Sequence, residues 1–210
     1  MQKVLSGRFI INLYFLEFAF IYGEEDNKVI FSKRVLLKDG RECVIRSGEA
    51  RDGEAALDLF KQCHSESPYL LSYPEEITYT VKDESEYLEA KKNNAREVAL
   101  LAFIDGKVAG SASFDSISSL YKLRHRADFG ISIIKDYTHL GLGRIMSELL
   151  IELAKEADYT SLDLEVFASN ENAIKLYKSL GFIEYGRHKR GFRSKENGYE
   201  EMILMSLDLV

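Results

Sequence analysis

The chain has no tryptophan, two prolines and two cysteines among its 210 residues, and each scarcity excludes something. Cys43 and Cys63 alone cannot build a disulfide framework, so two reduced thiols in a cytoplasmic protein are the expected state. The four histidines, at 64, 125, 139 and 188, are scattered and show no HExxH or comparable spacing, so no metal is expected. With prolines only at 68 and 74, no Pro-rich linker exists, and no repeat or low-complexity tract is visible. An excess of positive charge is missing too: 28 basic against 34 acidic residues give −6. Proteins that live on nucleic acid neutralise phosphates with Lys and Arg, so no nucleic-acid partner is expected. Long apolar runs are also absent. Residues 8–22, RFIINLYFLEFAFIY, are interrupted by Asn12 and Glu17 and fall short of the roughly 20 apolar residues that a membrane span needs. Glu17 also argues against a secretory leader, and no membrane partner is expected.

What is present suits one folded unit, because 46% hydrophobic residues can build a core and 30% charged residues can cover it. Residues 1–34 differ in character from the rest. Their Phe, Ile and Tyr content predicts extra strands, read as an N-terminal extension ahead of a domain over 35–210. An exposed apolar edge invites pairing, so this extension is a candidate homodimer contact. Beyond it, Glu42–Arg46 reads as a strand and Glu54–Cys63 as a helix. The charged stretch 81–93, VKDESEYLEAKKN, suits a solvated surface helix without a role in function. Val98–Ile104 and Lys107–Phe114 flank Asp105-Gly106, the favoured dipeptide of a tight hairpin. Ala127–Ile134 is a further strand. An amphipathic helix follows, with Ile145, Met146, Leu149, Leu150, Leu153, Ala154 and Ala157 on one face. Leu162–Phe167, Asn170–Leu180, and strands near 182–192 and 199–208 complete a mixed α/β sheet. Its parallel pair must flank the 145–157 helix.

Gly141-Leu142-Gly143 lies directly after a strand and opens a helix. Glycines let the chain approach an anion closely, and the free N–H groups of a helix N-terminus point at it. A tight turn with no ligand explains two glycines equally well. No third glycine stands at the dinucleotide spacing, and no Lys-Ser/Thr pair makes a P-loop.

ISIIKDYTHLGLGR at 131–144 and LEVFASNENAIKLYKSLGF at 164–182 together resemble the GCN5-related N-acetyltransferase (GNAT) superfamily. Gly141 and Gly143 match its loop, and Asn170, Ala173, Leu176-Tyr177 and Gly181-Phe182 match its second block. Thr138 stands where the family has Gln or Arg, and His139 where Gly is frequent. The resemblance covers about residues 42–208. It implies a mostly antiparallel sheet with a central parallel pair and flanking helices, and acetyl-CoA as co-substrate without metal.

By position, the resemblance implies that the main chain of Ile131, Ser132 and Ile133 pairs with the pantetheine arm like an added strand. His139, Leu140, Gly141, Leu142, Gly143 and Arg144 would wrap the pyrophosphate, with Asn170, Ala173 and Tyr177 beside the arm. Lys175 or Lys178 would meet the adenosine phosphate or stay solvated. Tyr177 maps to the acid that protonates the leaving thiolate, its alternative being a core aromatic. Glu165 and Asp128 are the two candidates for the base, each alternatively a solvent-facing charge. His125 with its flanking arginines, and the cluster Arg187–Arg193, are candidate anchors for an acceptor's carboxylate or plain surface charge. The implied activity is acetyl transfer to the primary amine of a small molecule, such as an amino acid or related metabolite. Acetylation of a protein N-terminus, and coenzyme binding without turnover, are the alternatives.

Overall fold

The computed structural model describes residues 19–22 and 29–210. Residues 8–18 of the apolar N-terminal stretch lie outside the described residues. Within them β1 (Ala19–Tyr22) pairs antiparallel with β2 (Val29–Leu36), which pairs with β3 (Glu42–Ser47). β2 runs through residue 35, and its Phe31 and Val35 are core residues. After two helices, α1 (Gly53–Glu66) and α2 (Val81–Lys92), come β4 (Val98–Ile104), β5 (Lys107–Ser116) and β6 (Arg126–Ile133). Then α3 (Leu142–Glu156), β7 (Ser161–Phe167) and α4 (Glu171–Ser179) lead into a final hairpin, β8 (Ile183–Ser194) and β9 (Gly198–Asp208). The nine strands of the described residues form one sheet in the order β1-β2-β3-β4-β5-β6-β7-β9-β8, antiparallel except for β6 beside β7. The expected parallel pair around α3 is therefore observed.

β4 shows why the sheet is buried on both sides. Val98, Leu100, Ala102 and Ile104 face the core under α3 and α4, whereas Ala99 and Leu101 face the core under α1 and α2. A strand covered twice reads as a continuous apolar run rather than an alternation. Asp105, with φ of 51°, and Gly106, with φ of 77°, make the left-handed turn into β5 that the dipeptide predicts. α1 and α2 lie close together: a Cβ on Gly53 would sit 2.1 Å from Ser85 Oγ. No helix of the described residues is long and apolar enough to cross a membrane.

α2 departs from the purely solvated helix expected from its charge. Leu88 is 1% exposed, and Lys91 is buried at 7%, ion-paired with Glu97 at 2.8 Å and with Asp115 of β5. Arg46 of β3 and Asp52, which precedes α1, form a two-pronged ion pair with both N···O distances at 2.7 Å. Asp52 also accepts from the Glu49 amide. Burial alone pushes the Asp52 carboxyl up, but the Arg46 guanidinium and the Glu49 amide outweigh it, and the net displacement is downward.

A depressed carboxyl stabilises the fold above its unfolded pKa of about 4, and that contribution is lost as pH falls through the lower folded value. Asp52→Asn should cost about 2 kcal/mol at pH 7 by denaturant unfolding. The gap to the parent should close progressively below about pH 4.

Candidate active site

The pairing of β6 with β7 stops early. Arg126, Ala127 and Asp128 lie opposite Ser161, Leu162 and Asp163, and no further pair forms between the two strands. β6 stays paired to β5 through Ile133, and β7 stays paired to β9 through Phe167. The strands thus part like a fork, leaving Phe129–Ile133 with one edge unpaired. At its closed end Arg126 of β6 grips Asp163 of β7 through Nη2 at 2.7 Å and Nε at 2.8 Å, and the Asp163 side chain is only 8% exposed. Unpaired main-chain groups inside a fold are costly, so such an edge invites an extended ligand to complete the ladder. Ile131, Ser132 and Ile133 lie on this edge.

The free edge leads to the glycine loop. After a short turn at Lys135–Tyr137, His139 and Gly141 adopt left-handed backbone at φ of 63° and 89°, and α3 begins at Leu142. Gly141 caps the helix without a side-chain partner. Among the described residues no group accepts from the amides of His139 through Arg144, so six consecutive N–H groups are available. This is an anion cradle at a helix N-terminus, and it fits the pyrophosphate of acetyl-CoA. Gly143 sits close under Ile133 and Leu176, where an added Cβ would meet them at 3.4 and 3.5 Å. Arg144 is held to Glu148 and Ser179 at 3.1 and 2.6 Å, its guanidinium beside the cradle.

The sequence gives no hint of Lys38. The turn between β2 and β3 carries it across to the loop, where its amide donates to Leu140 O at 3.1 Å. Its stem would lie 3.5 Å from a Cβ on Gly141, which puts an exposed ammonium over the cradle. About a hundred residues separate the two in sequence, so no local pattern signals the contact. Lys175, by contrast, is paired to Glu171 at 3.0 Å, and Lys178 is exposed.

On the α4 side of the fork, Tyr177 is buried with its ring edge-on to Phe129 at 5.9 Å and tilted against Phe182 at 5.8 Å. Burial pushes its phenol up to about 12. Its hydroxyl makes no hydrogen bond to a described residue. Asn170 caps α4, its Oδ1 accepting from the Ala173 amide at 3.3 Å, which leaves its Nδ2 uncommitted.

The opposite face carries acid. Asp128 lies beside Asp115 of β5 and Asp163 of β7 in register. Burial raises its carboxyl, and Asp163, Glu165 and Asp115 raise it further against the opposing pull of Arg126. Glu165 is exposed on β7, between buried Leu164 and Val166. The two cysteine thiols are free and buried, each pushed up to about 11 by burial, and so held as neutral thiols.

The α1–α2 side of the fork is roofed. Phe167 of β7 stacks on Phe192 of β8 at 3.9 Å, and Tyr69 lies against Phe167. Tyr73 accepts from the Lys195 amide at 2.6 Å and bonds Glu196 at 3.1 Å, while Lys195 pairs with Glu75. The β8–β9 tip is thereby clasped to the α1–α2 connection. The arginine cluster is engaged by other groups: Arg187 is bound by Glu184 and Glu201, and Arg190 and Arg193 lie over Tyr199. His125 serves through its carbonyl, which accepts from Thr160 at 2.9 Å. Among the described residues no group of three His, Cys, Asp or Glu side chains is placed to hold a metal ion.

A fork that opens beside a parallel pair, with an amide cradle at the following helix, makes a site for an extended ligand that ends in an anion. Residues 53–182 match the acetyltransferase (GNAT) family, and the chain belongs to it. The chain is 41% identical over 81 residues to the ribosomal protein bS18 alanine N-acetyltransferase of Escherichia coli K12, which is 39% of this chain and 54% of that protein. The chain thus spans about half the length of these first relatives. It is 30% identical over 152 residues to an L-amino acid N-acetyltransferase of Escherichia coli K12, covering 71% of this chain and 88% of that one. A GNAT-family acetyltransferase from Streptococcus pneumoniae superposes with a TM-score of 0.75 at 27% identity, over 78% of this chain and 98% of that one.

His139 holds a left-handed backbone at a position with a Cβ, which costs about 1–2 kcal/mol. His139→Gly relieves that strain and gives back part of it to the freer unfolded chain. The variant should be more stable by about 0.5–1 kcal/mol in chemical denaturation. A loss of stability would contradict the geometry assigned to the loop.

Proposed function

We propose that this protein is an acetyl-CoA-dependent N-acetyltransferase that moves the acetyl group directly to the primary amine of a small molecule, of the size of an amino acid or related metabolite. The observation that carries the reading is the unpaired edge of Phe129–Ile133 running into six free amides at His139–Arg144. An extended thioester arm followed by a pyrophosphate suits that sequence of sites. The clasp between Tyr73 and the β8–β9 tip supports a small acceptor over a protein chain, because it encloses the cleft. The local identity to a ribosomal-protein acetyltransferase favours the second reading, a protein N-terminus as acceptor.

Acetyl-CoA supplies an activated thioester. Ile131, Ser132 and Ile133 hold the arm by main-chain bonds, His139–Arg144 hold the pyrophosphate, and Lys38 adds a cation at its flank. An acceptor amine arrives as an ammonium and must lose a proton before its nitrogen attacks the carbonyl carbon. Asp128 takes that proton, since its raised carboxyl is a stronger base than an ordinary aspartate and its neighbours Asp163 and Glu165 favour a cation beside it. The C–N bond forms, the C–S bond breaks with its electron pair going to sulfur, and the second proton of the now cationic nitrogen passes to the departing thiolate or to solvent, leaving a neutral amide. Tyr177, with a phenol at about 12, keeps its proton at neutral pH and donates a hydrogen bond to the developing thiolate. Outright transfer from so weak an acid is several pH units uphill, so the hydrogen bond rather than the transfer is its contribution.

Tyr177→Phe should lower kcat about 100-fold while leaving the dissociation constant for coenzyme A within twofold, measured by thiol release and by calorimetry. Glu165→Gln removes a charge that raises Asp128, so the acid limb of the kcat/KM profile should move to lower pH. An unchanged limb in Glu165→Gln would count against Asp128 as the base.

A further inference from the structure

Between α1, α2 and the sheet lies a cavity of about 580 Å³. Gly130 and Ile131, from the free edge of the fork, form part of its floor, so it opens where the acetyl group would be delivered. Its walls are mainly apolar and aromatic, with Phe60, Leu70, Tyr79, Tyr87 and Leu88 prominent. No Lys or Arg lines it, and its one imidazole, His64, gives Nδ1 to the Phe60 carbonyl at 2.8 Å and packs on the Phe60 ring. Its two carboxylates differ: Asp83 is spent on capping α2, accepting from Thr80 N and Oγ1 at 2.8 and 2.7 Å. Glu84 is half-buried and makes no hydrogen bond or ion pair to a described side chain.

The surroundings of the amine have the same sign. On that face Arg126 is held by Asp163, and Lys91 by Glu97 and Asp115, which leaves Asp128 and Glu165 without a cation of their own. A free amino acid would place its α-carboxylate one carbon from the reacting nitrogen, within this field and with no guanidinium or ammonium to receive it. Like charges in a partly desolvated cleft repel strongly enough to shift affinity tenfold or more. His125 and the Arg187–Arg193 cluster, the positive groups the sequence offered for a carboxylate, are absent from the lining.

We propose that this cavity is the acceptor's side-chain pocket, and that the acceptor is a primary amine with an aromatic or branched apolar substituent and no carboxylate beside the amine. The inference rests on the acetyl-transfer reading for the position of the reacting nitrogen. A decarboxylated aromatic amine or an amino-acid amide fits; the parent amino acid does not. Apolar burial along the walls contributes the affinity, and Glu84 in the lining with Asp128 and Glu165 near the amine excludes the anion.

The test uses the full chain loaded with coenzyme A and three ligands that share one side chain: phenethylamine, phenylalaninamide and phenylalanine. Calorimetry reads binding without turnover, and thiol release from acetyl-CoA reads transfer. The first two ligands should bind at least tenfold tighter than phenylalanine. Leu70→Trp, which fills the cavity, should cut phenethylamine binding at least tenfold relative to glycinamide, with coenzyme A binding as the check on folding. Phenylalanine binding as tightly as its amide overturns the exclusion of the carboxylate, and an unchanged ratio in Leu70→Trp overturns the pocket. Binding in the expected order without thiol release upholds the pocket and overturns the transfer reading.

Discussion

The structure depends on the point where β6 and β7 stop pairing. Three opposed residue pairs hold them together, the Arg126–Asp163 ion pair locks the last of them, and beyond it both strands keep their outer neighbours while facing no one. A sheet edge created in the middle of a sheet cannot be blunted with charge or covered by a helix in the way an outer edge can. It must be completed by something extended. The remaining features of the site follow from that single gap.

The gap also fixes the direction of the chemistry. β6 ends at the turn that sets up the six-amide cradle, so a ligand lying along the free edge meets its anion-binding end at α3. Its other end reaches Asp128, the last paired residue, where acid from three strands converges. Tyr177 approaches from the α4 side and Asp128 from the α1–α2 side, so in the proposed reaction the donor to the leaving group and the acceptor of the amine's proton lie on opposite faces. Direct transfer needs that separation, because the two groups act on different atoms of one tetrahedral centre.

Most of the strands and helices were legible in the sequence because their signals are local. Asp105-Gly106 marks a turn, β4 reads as doubly buried, and the glycines at 141 and 143 announce the cradle. Asp128 could be placed opposite Phe129 by alternation alone. The misses share a different cause. Lys38 reaches Leu140, Tyr73 reaches Lys195, and Lys91 of a seemingly wet helix is buried against Glu97 and Asp115. Such contacts join distant segments and leave no periodicity to read. Arg187 and its neighbours looked like an anion site because sequence shows the charges and hides their partners, Glu184 and Glu201. The cavity under α1 and α2 was invisible for the same reason: six separate segments meet to enclose it.

Hydrogen exchange of the full chain, with and without saturating coenzyme A, tests the unpaired edge most directly. Amides in Phe129–Ile133 and His139–Arg144 should exchange more slowly when the coenzyme is bound, with little change in β2 and β3, whose ladders are already complete. Coenzyme binding with unchanged exchange in both segments would contradict the account of the fork as the ligand's missing partner.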